Sequence, residues 1–142
     1  MYLSAPGQVC QQFRGRMEDK QIELRMDIQP EYHYQGDRRL MEKVFTNVIG
    51  NAVAYSPAGA VITVTQKDEV FSVENTGVHI AEEDLERIFT PFYRVDKSRN
   101  RNSGGSGLGL YITKIILDHH GISCSIENTE NGVRFTAVFW SN

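Results

Sequence analysis

Two asparagines, Asn47 and Asn51, stand four residues apart in a stretch whose apolar residues recur at helical spacing. Positions i and i+4 share a helix face, so the two amides point the same way. An amide carbonyl is a hard, neutral oxygen donor, which suits Mg²⁺ when its other partners are water and phosphate. Asparagines on a solvated helix face are the ordinary case. Here the apolar neighbours Ile49, Ala52 and Val53 argue that Asn51 is partly buried. A second group is Gly104-Gly105-Ser106-Gly107-Leu108-Gly109-Leu110. Glycines let a backbone approach a ligand closely. This run opens into a helix, whose N-terminal N–H groups favour phosphate. By itself it also fits a flexible loop ending in a helix. It lacks the Gly-Lys-Ser/Thr ending of a Walker loop, and a polar loop precedes it where a dinucleotide fingerprint needs a strand.

Asn75-Thr76-Gly77 closes a β-rich stretch. An ordinary turn explains it, but an amide oxygen at a sheet end can also accept a hydrogen bond from the amino group of a base. Phe89-Thr90-Pro91-Phe92-Tyr93 follows, with aromatics suited to anchoring a loop at its base. That loop, residues 94–107, is polar and glycine-rich and carries Arg94, Lys97, Arg99 and Arg101. A loop of this length inside a compact domain is functional or disordered. The net charge of the whole chain is −3, so the local cations suggest a small anionic ligand. Bulk binding of nucleic acid is not expected.

The 142 residues suggest one domain. Val9, Phe13 and Met17 predict one amphipathic helix over 5–18. Ile22, Leu24, Met26 and Ile28 alternate as a half-buried strand, stopped by Pro30. A weak strand over 32–35 closes at Gly36. Asp37 is a fitting N-cap for a helix over 38–55, which Ser56-Pro57 ends. Strands are expected over 61–66 and 69–74, split by Lys67-Asp68, with a short helix over 81–88. A further helix runs from Leu108 to His119, with Gly121 as its C-terminal glycine. A hairpin closes the chain, 122–128 against 133–140 across Asn131-Gly132. Helices and strands mix without strict alternation, which predicts an α+β fold built as a two-layer α/β sandwich, helices on one face of a mixed sheet. Cys10 and Cys124 have no zinc spacing and fit a reduced cytoplasm. No apolar run is long enough to span a bilayer and no signal peptide opens the chain, so no direct membrane contact is expected.

The order of these groups is far more specific than any one of them. Asn47-Val48-Ile49-Gly50-Asn51-Ala52, Val73-Glu74-Asn75-Thr76-Gly77, the Phe-x-Pro-Phe text from Phe89 to Arg99, and Gly105-Ser106-Gly107-Leu108-Gly109-Leu110 resemble the N, G1, F and G2 boxes of the histidine kinase catalytic domain. The likeness covers the whole chain. It implies the Bergerat ATP-binding fold of the GHKL superfamily, also used by gyrase and the 90-kDa heat-shock chaperone, with a mostly antiparallel sheet and about three helices on one face. Residues 1–142 would form one catalytic and ATP-binding domain. ATP and Mg²⁺ are the implied cofactors. Asn51 would ligate Mg²⁺, and Asn47 would support metal and phosphates as a catalytic residue. Asn75 would meet the adenine amino group, Gly77 would let the base approach the backbone, and Tyr55 and Ile80 would line the adenine pocket. Residues 94–107 would be the ATP lid. Arg94 and Arg99 are its candidate catalytic contacts, Lys97 a further phosphate contact, and Gly105, Gly107, Leu108 and Gly109 form the lid-to-helix turn. The implied activity is transfer of the γ-phosphoryl group to a histidine in two-component signalling. The implied partners are the protein's own dimerisation and phosphoacceptor domain and, through the full kinase, a response regulator. Alone, the domain is expected to be monomeric and nearly inactive, a cytoplasmic part of a kinase in the bacterial inner or plasma membrane.

Three departures from the family text bear on the site. Asn75 replaces an aspartate and loses charge assistance toward the base. His79 replaces a glycine, and Ala54 replaces a phosphate-contacting lysine. The text Ala52-Val53-Ala54-Tyr55-Ser56 and the Asn-Thr-Gly variant are similar to the sensor kinases of vancomycin resistance. None of His33, His79, His119 and His120 has the helical, acidic context of a phosphoacceptor, so that domain is expected to be absent and Met1 to be a cut within a longer protein. Two alternatives stay open. An ATPase of the same fold would use a glutamate where Asn47, a poor general base, stands. A degenerate module would bind nucleotide or a partner without catalysis.

Overall fold

The computed structural model describes residues 4–28, 37–90 and 109–139. Its strands are β1 (Glu23–Ile28), β2 (Val61–Lys67), β3 (Val70–Thr76), β4 (Ser123–Asn128) and β5 (Gly132–Val138), and its helices α1 (Ser4–Gln12), α2 (Arg14–Asp19), α3 (Arg38–Tyr55), α4 (Glu82–Leu85) and α5 (Gly109–His119). The strands form one sheet in the order β1-β2-β3-β5-β4. β1 and β2 run parallel, with α3 between them in sequence, and every other pair is antiparallel. α3 packs on β3, α5 packs on β4 and against α3, and α1 lies against α3. This is the mixed, mostly antiparallel two-layer sandwich that the sequence predicts, with three main helices.

α3 is the hub because its sequence is strictly amphipathic. Met41, Val44, Phe45, Val48, Ile49, Ala52 and Val53 are all buried, and their i, i+3, i+4 spacing makes one stripe. The Asp37 side chain accepts from Leu40 N at 3.1 Å, the expected N-cap. At the other end the Ser56 hydroxyl donates back to Ala52 O at 2.6 Å, and Pro57 cannot continue the helix. Opposite this stripe, Ile62, Val64, Phe71, Val73, Phe135 and Ala137 supply the buried sheet face. The outer face is polar and includes an Arg134–Glu127 contact of 2.9 Å. Phe45, Phe71 and Phe139 cluster at one end of the core, Phe45 and Phe71 edge-on with ring centres 5.0 Å apart.

The α5 terminus has the predicted glycine, Gly121, at φ 74°. Ile122 N bonds to Leu117 O and Gly121 N to Asp118 O, which is the Schellman pattern. α2 ends in the same pattern with a non-glycine, Gln21, at φ 57°.

The structure corrects several boundaries. The predicted single N-terminal helix is two, broken at Phe13 (φ −103°, ψ 7°), because the Phe13 ring packs on Gly50 of α3. The β2–β3 turn is Asp68-Glu69 and not Lys67-Asp68, since Lys67 still pairs with Val70; Asp68 takes the positive φ of 55°. β3 continues through Thr76 because β5 pairs with it that far. The helix expected over 81–88 is only the one turn Glu82–Leu85. The strand expected over 32–35 lies outside the described residues.

Both cysteines are free thiols. Burial pushes the Cys10 thiol up to about 11 and raises Cys124 as well, which disfavours the thiolate form of both. Among the described residues no helix is long and apolar enough to cross a membrane.

Candidate functional site

A cavity of about 360 Å³ opens between the second half of α3, the start of α5 and the end of β3. That volume falls in the range of small-molecule sites. The stripe Asn47, Asn51 and Tyr55 lines one side, at successive i+4 steps along α3, with Gly109 and Leu110 at the opening of α5. Val73 of β3, with Val133 and Phe135 of β5 and Ile126 of β4, makes an apolar floor that the polar Asn75 of β3 joins, and Val78, His79, Ile80 and Ile88 form the far wall. Six sequence-derived candidates therefore meet at one cavity: Asn47, Asn51, Tyr55, Asn75, Ile80 and Gly109. Asn75 is buried, as its place on a central strand requires.

Asn47 has a second task. Its Nδ2 donates to Gly109 O at 3.2 Å and to Thr113 Oγ1 at 3.3 Å, while the Thr113 hydroxyl donates to Gly109 O at 2.8 Å. The amide nitrogen thus fastens α3 to the first turn of α5, and Oδ1 remains as the acceptor. Asn51, one turn on, is half-buried. No Asp, Glu or Lys is among the described residues lining the cavity, and no group of three His, Cys, Asp or Glu side chains able to hold a metal exists among the described residues. The oxygen donors are neutral amides and hydroxyls. Such a set fits a Mg²⁺ ion that arrives on phosphates and does not fit a metal held by protein charge.

The far wall is tied to the β4–β5 connection. The Asn128 amide grips Ile80 twice, accepting from Ile80 N at 2.8 Å and donating to Ile80 O at 2.7 Å. The His79 ring, through Nε2, lies 2.9 Å from Thr129 O, and since a carbonyl can only accept, the ring donates. Gly77 N donates to Asn131 O at 3.0 Å. His79 therefore ties the loop down where the family text has a glycine. Gly77 does not line the cavity. Its φ of 87° and the Pro57 Cγ, 2.7 Å from where a Cβ would sit, explain why glycine stands there. Gly132 is needed more strictly: a Cβ on it would fall 1.8 Å from Asn75 O.

Arg94, Lys97, Arg99, Gly105, Gly107 and Leu108, and with them the loop 94–107, lie outside the described residues. Sequence reading missed Thr113, Asn128 and Arg16, all of which touch the site or its supports. Thr113 carried a signal, a polar residue on the apolar side of a helix and four residues after Gly109. Asn128 and Arg16 carried none, because their roles depend on contacts distant in sequence, 48 residues for Asn128 with Ile80 and 37 for the Phe13–Gly50 packing that places Arg16.

Comparison with known proteins gives three kinds of match. Residues 36–141 match the family described as histidine kinase-, DNA gyrase B- and HSP90-like ATPase. The sensor histidine kinase CusS of Escherichia coli O6:H1 is 37% identical over 137 residues, which is 93% of this chain and 28% of that protein. The sensor protein VanSB of Enterococcus faecalis is 42% identical over 103 residues, 70% of this chain and 23% of VanSB. The chain thus spans about a quarter of these relatives. The catalytic domain of the histidine kinase ThkA, solved nucleotide-free, superposes with a TM-score of 0.82 at 30% identity, covering 96% of this chain and 92% of that one. ThkA has also been solved in complex with the response regulator protein TrrA, and that kinase chain superposes with a TM-score of 0.76.

Proposed function

From the fact that this chain belongs to the family of histidine kinase-, DNA gyrase B- and HSP90-like ATPases, we propose that it binds Mg-ATP in the α3–α5 cavity and supplies the γ-phosphoryl group to a histidine on a separate dimerisation domain. The observation that carries this reading is the meeting of Asn47, Asn51, Tyr55, Asn75, Ile80 and Gly109 around one cavity. The floor is apolar enough for a purine, and the buried Asn75 amide meets its amino group without a charge. Tyr55 and Ile80 flank the base.

The Asn47 and Asn51 oxygens face the phosphates. Mg²⁺, when bound, would neutralise phosphate charge, held by Asn51 and the nucleotide's own oxygens. Asn47 positions the first turn of α5, so that its N–H groups meet the phosphate end. Arg94, Lys97 and Arg99 of the lid, with Gly105, Gly107 and Leu108 at its hinge, are proposed to close over the phosphates. In the transfer the incoming histidine nitrogen bonds to the γ-phosphorus, the bond to the bridging β–γ oxygen breaks, and ADP leaves. No carboxylate lines the described cavity, which leaves water without a general base there and favours transfer over hydrolysis.

Residues 1–142 act in this reading as one cytoplasmic catalytic domain of a membrane sensor kinase. The complex of ThkA with TrrA supports a response regulator as the downstream partner. The 42% identity to VanSB supports the narrower placement with the resistance-type sensor kinases. The test is to mix the chain with a separately purified histidine-bearing dimerisation domain and γ-labelled ATP. Label is expected on the histidine domain, with little phosphate release by the chain alone. Robust hydrolysis without transfer would reject the kinase reading in favour of an ATPase.

A further inference from the structure

We propose that Arg16, on α2 and outside the span 36–141 that matches the family, is a phosphate-contacting residue of the bound nucleotide. The inference rests on the nucleotide reading above and adds to it a site residue from the N-terminal helical pair.

Among the described residues lining the cavity, Arg16 is the only lysine or arginine. Ala54, which also lines the cavity, is uncharged. The helix that carries Arg16 is held firmly against α3. Phe13 packs its ring on Gly50, approaching to 3.0 Å the point where a Cβ would sit. Met17 is buried in the core. Lys20, one turn after Arg16, donates its ammonium to Val53 O at 2.8 Å and Ala54 O at 3.2 Å. That places Lys20 on the C-terminal carbonyls of α3, where a cation is favoured, and spends its charge there.

Arg16 is not spent in this way. Among the described residues no carboxylate forms an ion pair with it, and its guanidinium carbon lies 5.9 Å from the centre of the Phe13 ring. The two cations also repel. Lys20 is pushed below the ordinary lysine value, first by burial and then by the charge of Arg16. An anion seated at the cavity mouth would relieve that repulsion. The planar guanidinium, with its five donors, fits phosphate oxygens in paired contacts.

The anion is a phosphate of the nucleotide because the other described groups lining the cavity are amides, hydroxyls, apolar side chains and the His79 ring, which is already bound to Thr129 O. A stacking role on the base is the rival, and it makes a different prediction. Binding of Mg-ATP, ADP and adenosine is measured by displacement of a fluorescent nucleotide, for the unaltered chain, Arg16→Gln, Arg16→Lys and the exposed control Arg14→Gln. Arg16→Gln is expected to weaken Mg-ATP and ADP about tenfold while adenosine is unchanged. Arg16→Lys should recover part of the loss, and Arg14→Gln should behave as the unaltered chain. The salt dependence of ATP binding should also become shallower in Arg16→Gln. Equal losses for ATP and adenosine, or an unchanged ATP-to-adenosine ratio, overturns the assignment while leaving the nucleotide reading in place. An unaltered chain that binds no nucleotide overturns both. Circular dichroism of each variant separates lost binding from lost folding.

Discussion

At the scale of single residues, the two helix asparagines divide their labour in a way their shared spacing does not reveal. Asn47 commits its amide nitrogen to Gly109 O and Thr113 Oγ1, so its removal would loosen the start of α5 as well as empty part of the cavity. Asn51 lines the cavity from the half-exposed side of α3 and is the cleaner probe. Asn51→Ala is expected to weaken Mg-ATP binding at least tenfold, on the order of 1.4 kcal/mol, with binding in the absence of Mg²⁺ little changed and the fold intact. Titration of the variant with and without Mg²⁺ checks this, and an unaltered magnesium dependence would remove Asn51 from the metal. The same scale explains why His79 is tolerated where the family text has glycine. Its ring finds a carbonyl partner at Thr129, so the side chain anchors the wall and need not distort it.

At the scale of elements, the site is made by three approaches: α3 against α5, β3 against β5, and the 77–80 segment against the β4–β5 connection. The second of these is the tightest. Gly132 pairs with Thr76, and any side chain there would collide with the backbone of Asn75. Gly132→Ala should therefore force β5 away from β3, and overpacking of this kind costs about 3 kcal/mol. Chemical denaturation should show that loss, and nucleotide affinity should fall with it because Asn75 moves. A stability change within about 0.5 kcal/mol would mean that the strand pair adjusts more freely than this packing implies. The turn residue Asn131 and the clamp residue Asn128, the last of β4, lie at the same end of the hairpin, so that end both closes the hairpin and holds the cavity wall.

At the scale of the whole molecule, the cavity lies between the helical layer and the sheet, and a ligand there touches both layers. Ligand binding should consequently stabilise the entire domain. At a nucleotide concentration a hundredfold above its dissociation constant the gain is about 2.7 kcal/mol, enough to raise the melting midpoint by roughly 5–10 °C. Mg²⁺ without nucleotide should leave the midpoint where it was, because no described carboxylate lines the cavity to hold it. A thermal melt with Mg²⁺ alone, ATP alone and both together checks this. A large shift with Mg²⁺ alone would point to a protein-held metal and contradict the neutral donor set.

By itself the sequence determined the α3 hub, the existence of the two hairpins, the glycine after α5 and the two-layer class, because these follow from local periodicity and from the conformations that Asp37, Pro57 and Gly121 permit; it misplaced both hairpin turns by one residue, since Lys67 still pairs with Val70 and Gly132 already belongs to β5, leaving Glu130-Asn131 as the turn. It also ordered the site, since the stripe Asn47, Asn51 and Tyr55 is a property of one helix. Only the tertiary structure decided what each group faces. The break at Phe13 depends on Gly50 of α3, 37 residues further along the chain; the grip of Asn128 on Ile80 spans 48 residues; Arg16 reaches the cavity only because Phe13 and Lys20 dock α2 on α3. Such contacts leave no period in the chain, since the two partners meet through packing and neither fixes the other's position in sequence.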